Sequence, residues 1–166
     1  MTKQEVRAAA LAKLGAAGAK VLYDVGAGTG SVSVELSLMA GQADVYAIEC
    51  EEKAVELIEQ NRERFGCGNL HVVFGKAPQA LESLPEPDAV FIGGTKGNLP
   101  EILSVLFEKN PSVQILDMNG DLSPEIVLSI PSETSAAVFS LNESGAFLAI
   151  ARCGENRMEI LKTFFG

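Results

Sequence analysis

The sequence predicts an α/β domain: a doubly wound, mostly parallel sheet of seven strands with helices on both faces, closing in a C-terminal antiparallel hairpin. Three observations predict it. Short apolar runs alternate with amphipathic segments of helical period over the first two thirds of the chain. A turn with glycines two apart, Gly26-Ala27-Gly28-Thr29-Gly30, separates the first such run from the segment after it. Towards the C-terminus the alternation gives way to two β-type runs joined by Asn142-Glu143-Ser144-Gly145. Right-handed crossovers in such a sheet put ligands at the carboxyl ends of the strands.

The elements follow in order. Val6, Ala10, Leu11 and Leu14 recur at helical spacing between Lys3 and Leu14, with Thr2 as N-cap, Glu5 three residues later and Gly15 and Gly18 as stop. Lys20 to Val25 is the first strand, Val32 to Ala40 a helix stopped by Gly41, and Asp44 to Glu49 a second strand. Glu51 to Phe65 gives the clearest helix, with Ala54, Leu57, Ile58 and Phe65 on one face and Gly66 behind it. Leu70 to Phe74 and Ala89 to Ile92 are the third and fourth strands. Between them a loop or short helix carries Lys76-Ala77-Pro78 to Leu84. Pro100 stands near the start of a helix to Lys109, where its missing N–H is harmless. Val113 to Met118 is the fifth strand, and Ser123-Pro124-Glu125 starts a short helix to Ile130. Ala136 to Leu141 and Ala146 to Arg152 form the hairpin, and Ile160 to Phe165 is a last strand or a tail.

A chain of 166 residues, 47% hydrophobic and 21% charged, reads as one domain over 1–166 with a full core. Its apolar runs are too short to span a bilayer, and no signal-peptide pattern opens it. Three cysteines without C-x-x-C spacing read as reduced thiols in a cytoplasmic protein, with no metal site. A net charge of −9 argues against a nucleic-acid partner, which requires basic surface. It leaves room for an anionic small molecule held by a few placed cations.

The glycine turn is the centre of the functional reading. A strand, a turn free of side chains and a helix whose N-terminal N–H groups point at the turn form a backbone cradle for an electron-rich ligand. Glu49, ending the second strand, can accept hydrogen bonds from both hydroxyls of a ribose. The dinucleotide fingerprint is G-x-G-x-x-G, and here its third position is Ser31, since the third glycine comes one residue early. A nicotinamide or flavin site and a ligand-free turn stay open beside the reading that follows.

The pattern Asp24-x-Gly26-x-Gly28-x-Gly30 resembles motif I of class I S-adenosylmethionine-dependent methyltransferases, which share a Rossmann-like sheet with a terminal antiparallel hairpin. Four ordered stretches extend the resemblance: Thr2 to Arg7; Asp24 to Val34; Tyr46 to Glu49 with Asn61, Arg64, Phe65 and Gly66; and Gly75-x-Ala77-Pro78 with Pro87 to Gly94. Over residues 2 to 110 they look like the decarboxylating precorrin C-15 methyltransferases of cobalamin biosynthesis. The resemblance implies methylation of carbon 15 of a precorrin or cobalt-precorrin-6 macrocycle with loss of CO2 from an acetate arm, with S-adenosyl-L-homocysteine as product. It also implies a homo-oligomer, a tetramer. Cofactor contacts implied are Thr2, Asp24, Gly26, Ala27, Gly28, Thr29, Gly30, Ser31, Glu49, Cys50, Gly75, Lys76, Ala77, Gly93 and Gly94. Two departures stand out: Lys76 where the family carries an acidic residue, and Leu116-Asp117-Met118-Asn119-Gly120-Asp121 in place of an Asn-Ala-Val-Thr-like segment.

A precorrin bears many carboxylates, so cations near the strand ends become candidates for the acceptor. Lys3 and Arg7 share a helix face at i and i+4. Lys96 follows Gly93-Gly94, and Arg152 offers a bidentate guanidinium. Arg62 and Arg64 read as surface charge, and His71 as a sheet residue. Two alternatives remain: a methyltransferase of the same fold acting on RNA or protein, and a cofactor-binding subunit without turnover. The first predicts an Asn/Asp-Pro-Pro-aromatic motif after the fourth strand, where the sequence has Ile92-Gly93-Gly94-Thr95.

Overall fold

The structure, a computed structural model, describes Leu11, Leu14, residues 18–118, 137–141, 147–154 and 157–163; beyond Met118 it describes the backbone, with Val138 the one side chain. The expected N-terminal helix apart from Leu11 and Leu14, the helix from Ser123 and the turn 142–145 lie outside the described residues, as do Thr2, Lys3 and Arg7.

Strands β1 (Val21–Val25), β2 (Asp44–Glu49), β3 (Leu70–Phe74), β4 (Ala89–Ile92) and β5 (Gln114–Asp117) are parallel. Helices α1 (Ser31–Met39), α2 (Glu52–Phe65) and α3 (Leu99–Lys109) are among the connections. β6 (Ala137–Leu141) lies parallel to β5, β7 (Phe147–Gly154) antiparallel to β6, and β8 (Arg157–Thr163) antiparallel to β7. The order β3-β2-β1-β4-β5-β6-β7-β8 makes eight strands, one more than the sequence predicts, because the final run pairs with β7. Strand order reverses between β1 and β4, which is where open α/β sheets bind ligands.

Alternation along the strands divides the core into two layers. Leu22, Ala89, Phe91 and Leu116 pack with Val32, Val34 and Leu36 of α1 and Ile58 of α2. Tyr23, Val25, Val90, Ile92 and Ile115 pack with Ile102, Leu103, Leu106 and Phe107 of α3. Each buried side chain of this size contributes about 1.5–3 kcal/mol against exposure. The central strands β1, β4 and β5 are buried on both faces and read as near-continuous apolar runs, while the edge strand β3 leaves His71 and Phe74 exposed.

Local chemistry fixes the ends. The Asp88 carboxylate accepts from the N–H groups of Lys20 and Val21 at 2.7 and 3.0 Å, securing the start of β1. α2 ends at Gly66 in the left-handed region (φ 66°), which glycine adopts without strain. Pro100 sits in the first turn of α3, as expected. His71, in β3, stacks on Tyr46 with centroids 4.9 Å apart and meets Asp44 Oδ1 at 2.7 Å, away from the carboxyl ends of the strands. Arg62 pairs with Glu59 at 2.9 Å on exposed helix surface.

Candidate functional site

Four strand exits build one cleft. Val25 and Gly26 come from β1, and Ile48, Glu49 and Cys50 from β2. Gly75, Lys76 and Ala77 follow β3, and Gly94, Thr95 and Lys96 follow β4.

The glycine turn is shaped by close backbone approach. The N–H groups of Gly26 and Ala27 donate to the Ile48 carbonyl at 2.9 and 3.1 Å, and that of Gly93 donates to Val25 at 2.8 Å. Gly26 has φ 71°, and a Cβ there would lie 2.6 Å from the Gly94 carbonyl oxygen, so β1 and β4 leave no room for a side chain. Gly30, at φ 78°, caps α1, and a Cβ on it would meet Ile58 of α2 at 3.0 Å. Gly28 has φ 57° with open space about its Cβ position. From α2, Asn61 Nδ2 donates to the Thr29 carbonyl at 2.9 Å, and Thr29 Oγ1 lies 3.1 Å from Ser31 Oγ.

Glu49 is buried at the end of β2 and clamped by backbone. Its Oε2 accepts from Gly28 N–H at 2.8 Å, and its Oε1 from Cys50 and Glu51 N–H at 2.7 and 2.9 Å. Burial alone would raise its pKa, but the N–H groups of Glu51, Gly28 and Cys50 outweigh it and hold the carboxyl below the usual glutamate range. A carboxylate offers about four lone-pair sites. Backbone N–H groups engage three, two on Oε1 and one on Oε2, and the Cys50 thiol makes a further contact. A hydroxyl donor such as a ribose fits that wall, and the side-chain-free Gly26–Gly94 approach fits a ligand pressed against backbone. The site therefore suits the S-adenosyl cofactor its motif implies.

Lys96 Nζ reaches Glu51 Oε1 at 2.6 Å, joining the β4 exit to the residue before α2. That carboxylate, and then the Cys50 thiol, raise the lysine's pKa, so the ammonium stays charged. Among the described residues Lys96 alone of the non-glycines has positive φ, at 49°.

The structure brings Gly26, Glu49, Cys50, Gly75, Lys76, Ala77, Gly94 and Lys96 together around the cleft, with Ala27 to Ser31 and Gly93 in the turns behind. Asp24 stands apart from these. It is buried beneath the turn on the α1 side and accepts a hydrogen bond from the Ser33 hydroxyl, off the cleft wall. Arg152 stands apart too. Pairing runs from Arg152 to Ala137, then Gln114, Ala89 and Leu22, the amino-terminal ends of the parallel strands. Its backbone thus sits level with the amino-terminal ends of the parallel strands, whereas Lys96 follows the carboxyl end of β4. Sequence reasoning missed Thr95, buried in the cleft wall, and Glu51, whose pairing spans 45 positions.

Fold and site together define a methyltransferase-type α/β domain. The crystal structure of precorrin-6y C5,15-methyltransferase from Geobacter metallireducens superposes with a TM-score of 0.62 at 31% identity, covering 84% of this chain and 62% of that one. Precorrin 8W decarboxylase from Methanobacterium thermoautotrophicum gives 0.62 at 29% identity, covering 85% and 64%. The family model described as precorrin methyltransferase domain matches residues 1–121, and the chain belongs to that family. It is 47% identical over 111 residues to the probable cobalt-precorrin-6B C(15)-methyltransferase (decarboxylating) of Pyrobaculum calidifontis, covering 66% of this chain and 57% of that protein. The Salmonella typhimurium cobalt-precorrin-6B C(15)-methyltransferase (decarboxylating) is 47% identical over 103 residues, covering 62% and 53%. The chain thus spans little more than half the length of these curated relatives.

Proposed function

We propose that the chain is an S-adenosylmethionine-dependent enzyme that methylates carbon 15 of a precorrin or cobalt-precorrin-6 macrocycle and releases CO2 from an acetate arm. The observation that carries this reading is Glu49, held ionised at the end of β2 and lining the same cleft as the Gly26–Gly94 backbone approach. The names of the relatives supply the acceptor class. When bound, the cofactor supplies an electrophilic methyl group on a sulfonium.

The protein's share is positioning and electrostatic support rather than strong acid–base chemistry. Gly26 to Ser31 with Gly93, Gly94 and Thr2 would back the amino-acid portion, and Glu49 the ribose. Cys50 with the backbone of Gly75, Lys76 and Ala77 would frame the adenine. Lys96 and Arg7 are the cations assigned to acceptor carboxylates. The same reading places a homotetramer in the cytoplasm and takes β6 and β7 as the family's closing hairpin. No helix among the described residues is long and apolar enough to cross a membrane.

Calorimetry with S-adenosylhomocysteine tests the cofactor: wild type binds, and Glu49→Ala loses at least tenfold. Absence of binding by wild type ends the reading. Mass spectrometry tests the reaction, with one methyl gained and one CO2 lost per acceptor. A second reading has one observation in its favour, that the family match stops at residue 121. It makes the chain a cofactor-binding subunit, and cofactor binding without the mass change would establish it.

A further inference from the structure

We infer that Glu51 determines acceptor specificity: its carboxylate holds on Lys96 the place that a carboxylate arm of the methyl acceptor takes, and the arriving acid displaces it. This rests on the proposed reading of the cleft as a cofactor and acceptor site.

The geometry supports an exchangeable pair. Glu51 Oε1 and Lys96 Nζ lie 2.6 Å apart, yet their side chains are 68% and 55% exposed. An exposed ion pair contributes little net stability, so an incoming carboxylate replaces it at small cost. Glu51 is the N-cap of α2, a place where the shorter Ser, Thr, Asp or Asn accepts from the helix N–H groups, and its longer side chain makes no capping bond. It reaches across to the β4 exit instead. Lys96, for its part, is held in the left-handed region between Thr95 and Gly97 (φ 83°). Backbone in a sparsely populated region is retained where the surrounding structure dictates it, commonly at sites that present a side chain.

Charge gives the device its selectivity. The chain carries −9 overall, and Glu49 and Glu51 both stand at the β2 exit, so an anionic acceptor meets repulsion at the cleft. Only an acceptor that delivers a carboxylate to Nζ relieves it. A neutral acceptor leaves Lys96 satisfied by Glu51 and gains nothing from it.

The test uses uroporphyrin, an octacarboxylate tetrapyrrole, titrated by absorbance into the protein with and without S-adenosylhomocysteine. Glu51→Gln is expected to tighten uroporphyrin binding roughly two- to fivefold at low salt, the range of an exposed pair. In a Lys96→Met background only the relief of charge repulsion remains, and the same change is expected to have a clearly smaller effect. Absence of uroporphyrin binding to wild type, unchanged affinity in Glu51→Gln, or an effect that persists undiminished without Lys96 overturns the inference. None of those results bears on S-adenosylhomocysteine calorimetry, which tests the cofactor reading separately. Circular dichroism of Glu51→Gln, Lys96→Met and the double variant establishes that each is folded before titration.

Discussion

Gly26 and Gly94 approach so closely that a Cβ on the first would lie 2.6 Å from the carbonyl oxygen of the second and 2.7 Å from its nitrogen. Both obstructing atoms are backbone, so nothing can rotate away. Gly26→Ala also imposes φ 71° on an L-residue. The substitution is expected to lower the melting temperature and weaken S-adenosylhomocysteine more than tenfold. Gly28→Ala meets no neighbour and bears only the left-handed conformation, about 1–2 kcal/mol. Thermal melts of the two variants side by side check the contrast, and equal shifts would contradict it.

Glu49 connects cofactor affinity to pH through its depressed pKa. A group whose folded pKa lies below its unfolded value near 4.3 adds stability that is fully present above that value and lost as pH falls through the folded pKa. Cofactor affinity of wild type is accordingly expected to be flat across neutral pH as far as Glu49 is concerned. Glu49→Gln replaces one acceptor oxygen by a donor that faces backbone N–H groups, and leaving such a group unmade costs about 1–3 kcal/mol. Urea unfolding of both proteins at pH 7 measures it.

Asp24 acts in the opposite sense. Burial raises its pKa, the Ser33 hydroxyl and N–H lower it, and the charge of Glu49 raises it again, leaving it at about 7. The folded protein then binds this proton more tightly than the unfolded chain, so stability falls as pH rises from the usual aspartate range towards 7. Asp24→Asn keeps an acceptor for Ser33 without the charge. It is expected to flatten this part of the pH profile and to be more stable than wild type at pH 8. Chemical denaturation at pH 5 and pH 8 reads both effects.

The parallel half of the fold was legible because its strands are short apolar runs, buried through the central β1, β4 and β5, and the turns between carry glycine or proline. Val21–Val25, Asp44–Glu49 and Leu70–Phe74 match expectation to within a residue or so at either end. Glu49 was legible as the first charge after an apolar run. Asp24 was not, because nothing local says which layer a strand residue faces until Ser33 of the next helix packs over it. Glu51 was hidden behind its helix-start reading, since its partner arrives from β4. The level of Arg152 in the sheet was not legible, because a motif carries no register and the pairing of β7 with β6 and of β6 with β5 sets it.

The reversal of strand order between β1 and β4 has a mechanical consequence. The cleft takes its walls from the exits of β1, β2, β3 and β4, so a ligand seated there touches four segments dispersed from Val25 to Lys96. Such a ligand would tether the middle of the sheet, because the peeling away of any one of those strands would remove part of its wall. Occupancy at a hundred times Kd would raise the unfolding free energy by about 2.7 kcal/mol. The abundance of the cofactor in its surroundings would then set how long the folded chain persists as well as how fast it works.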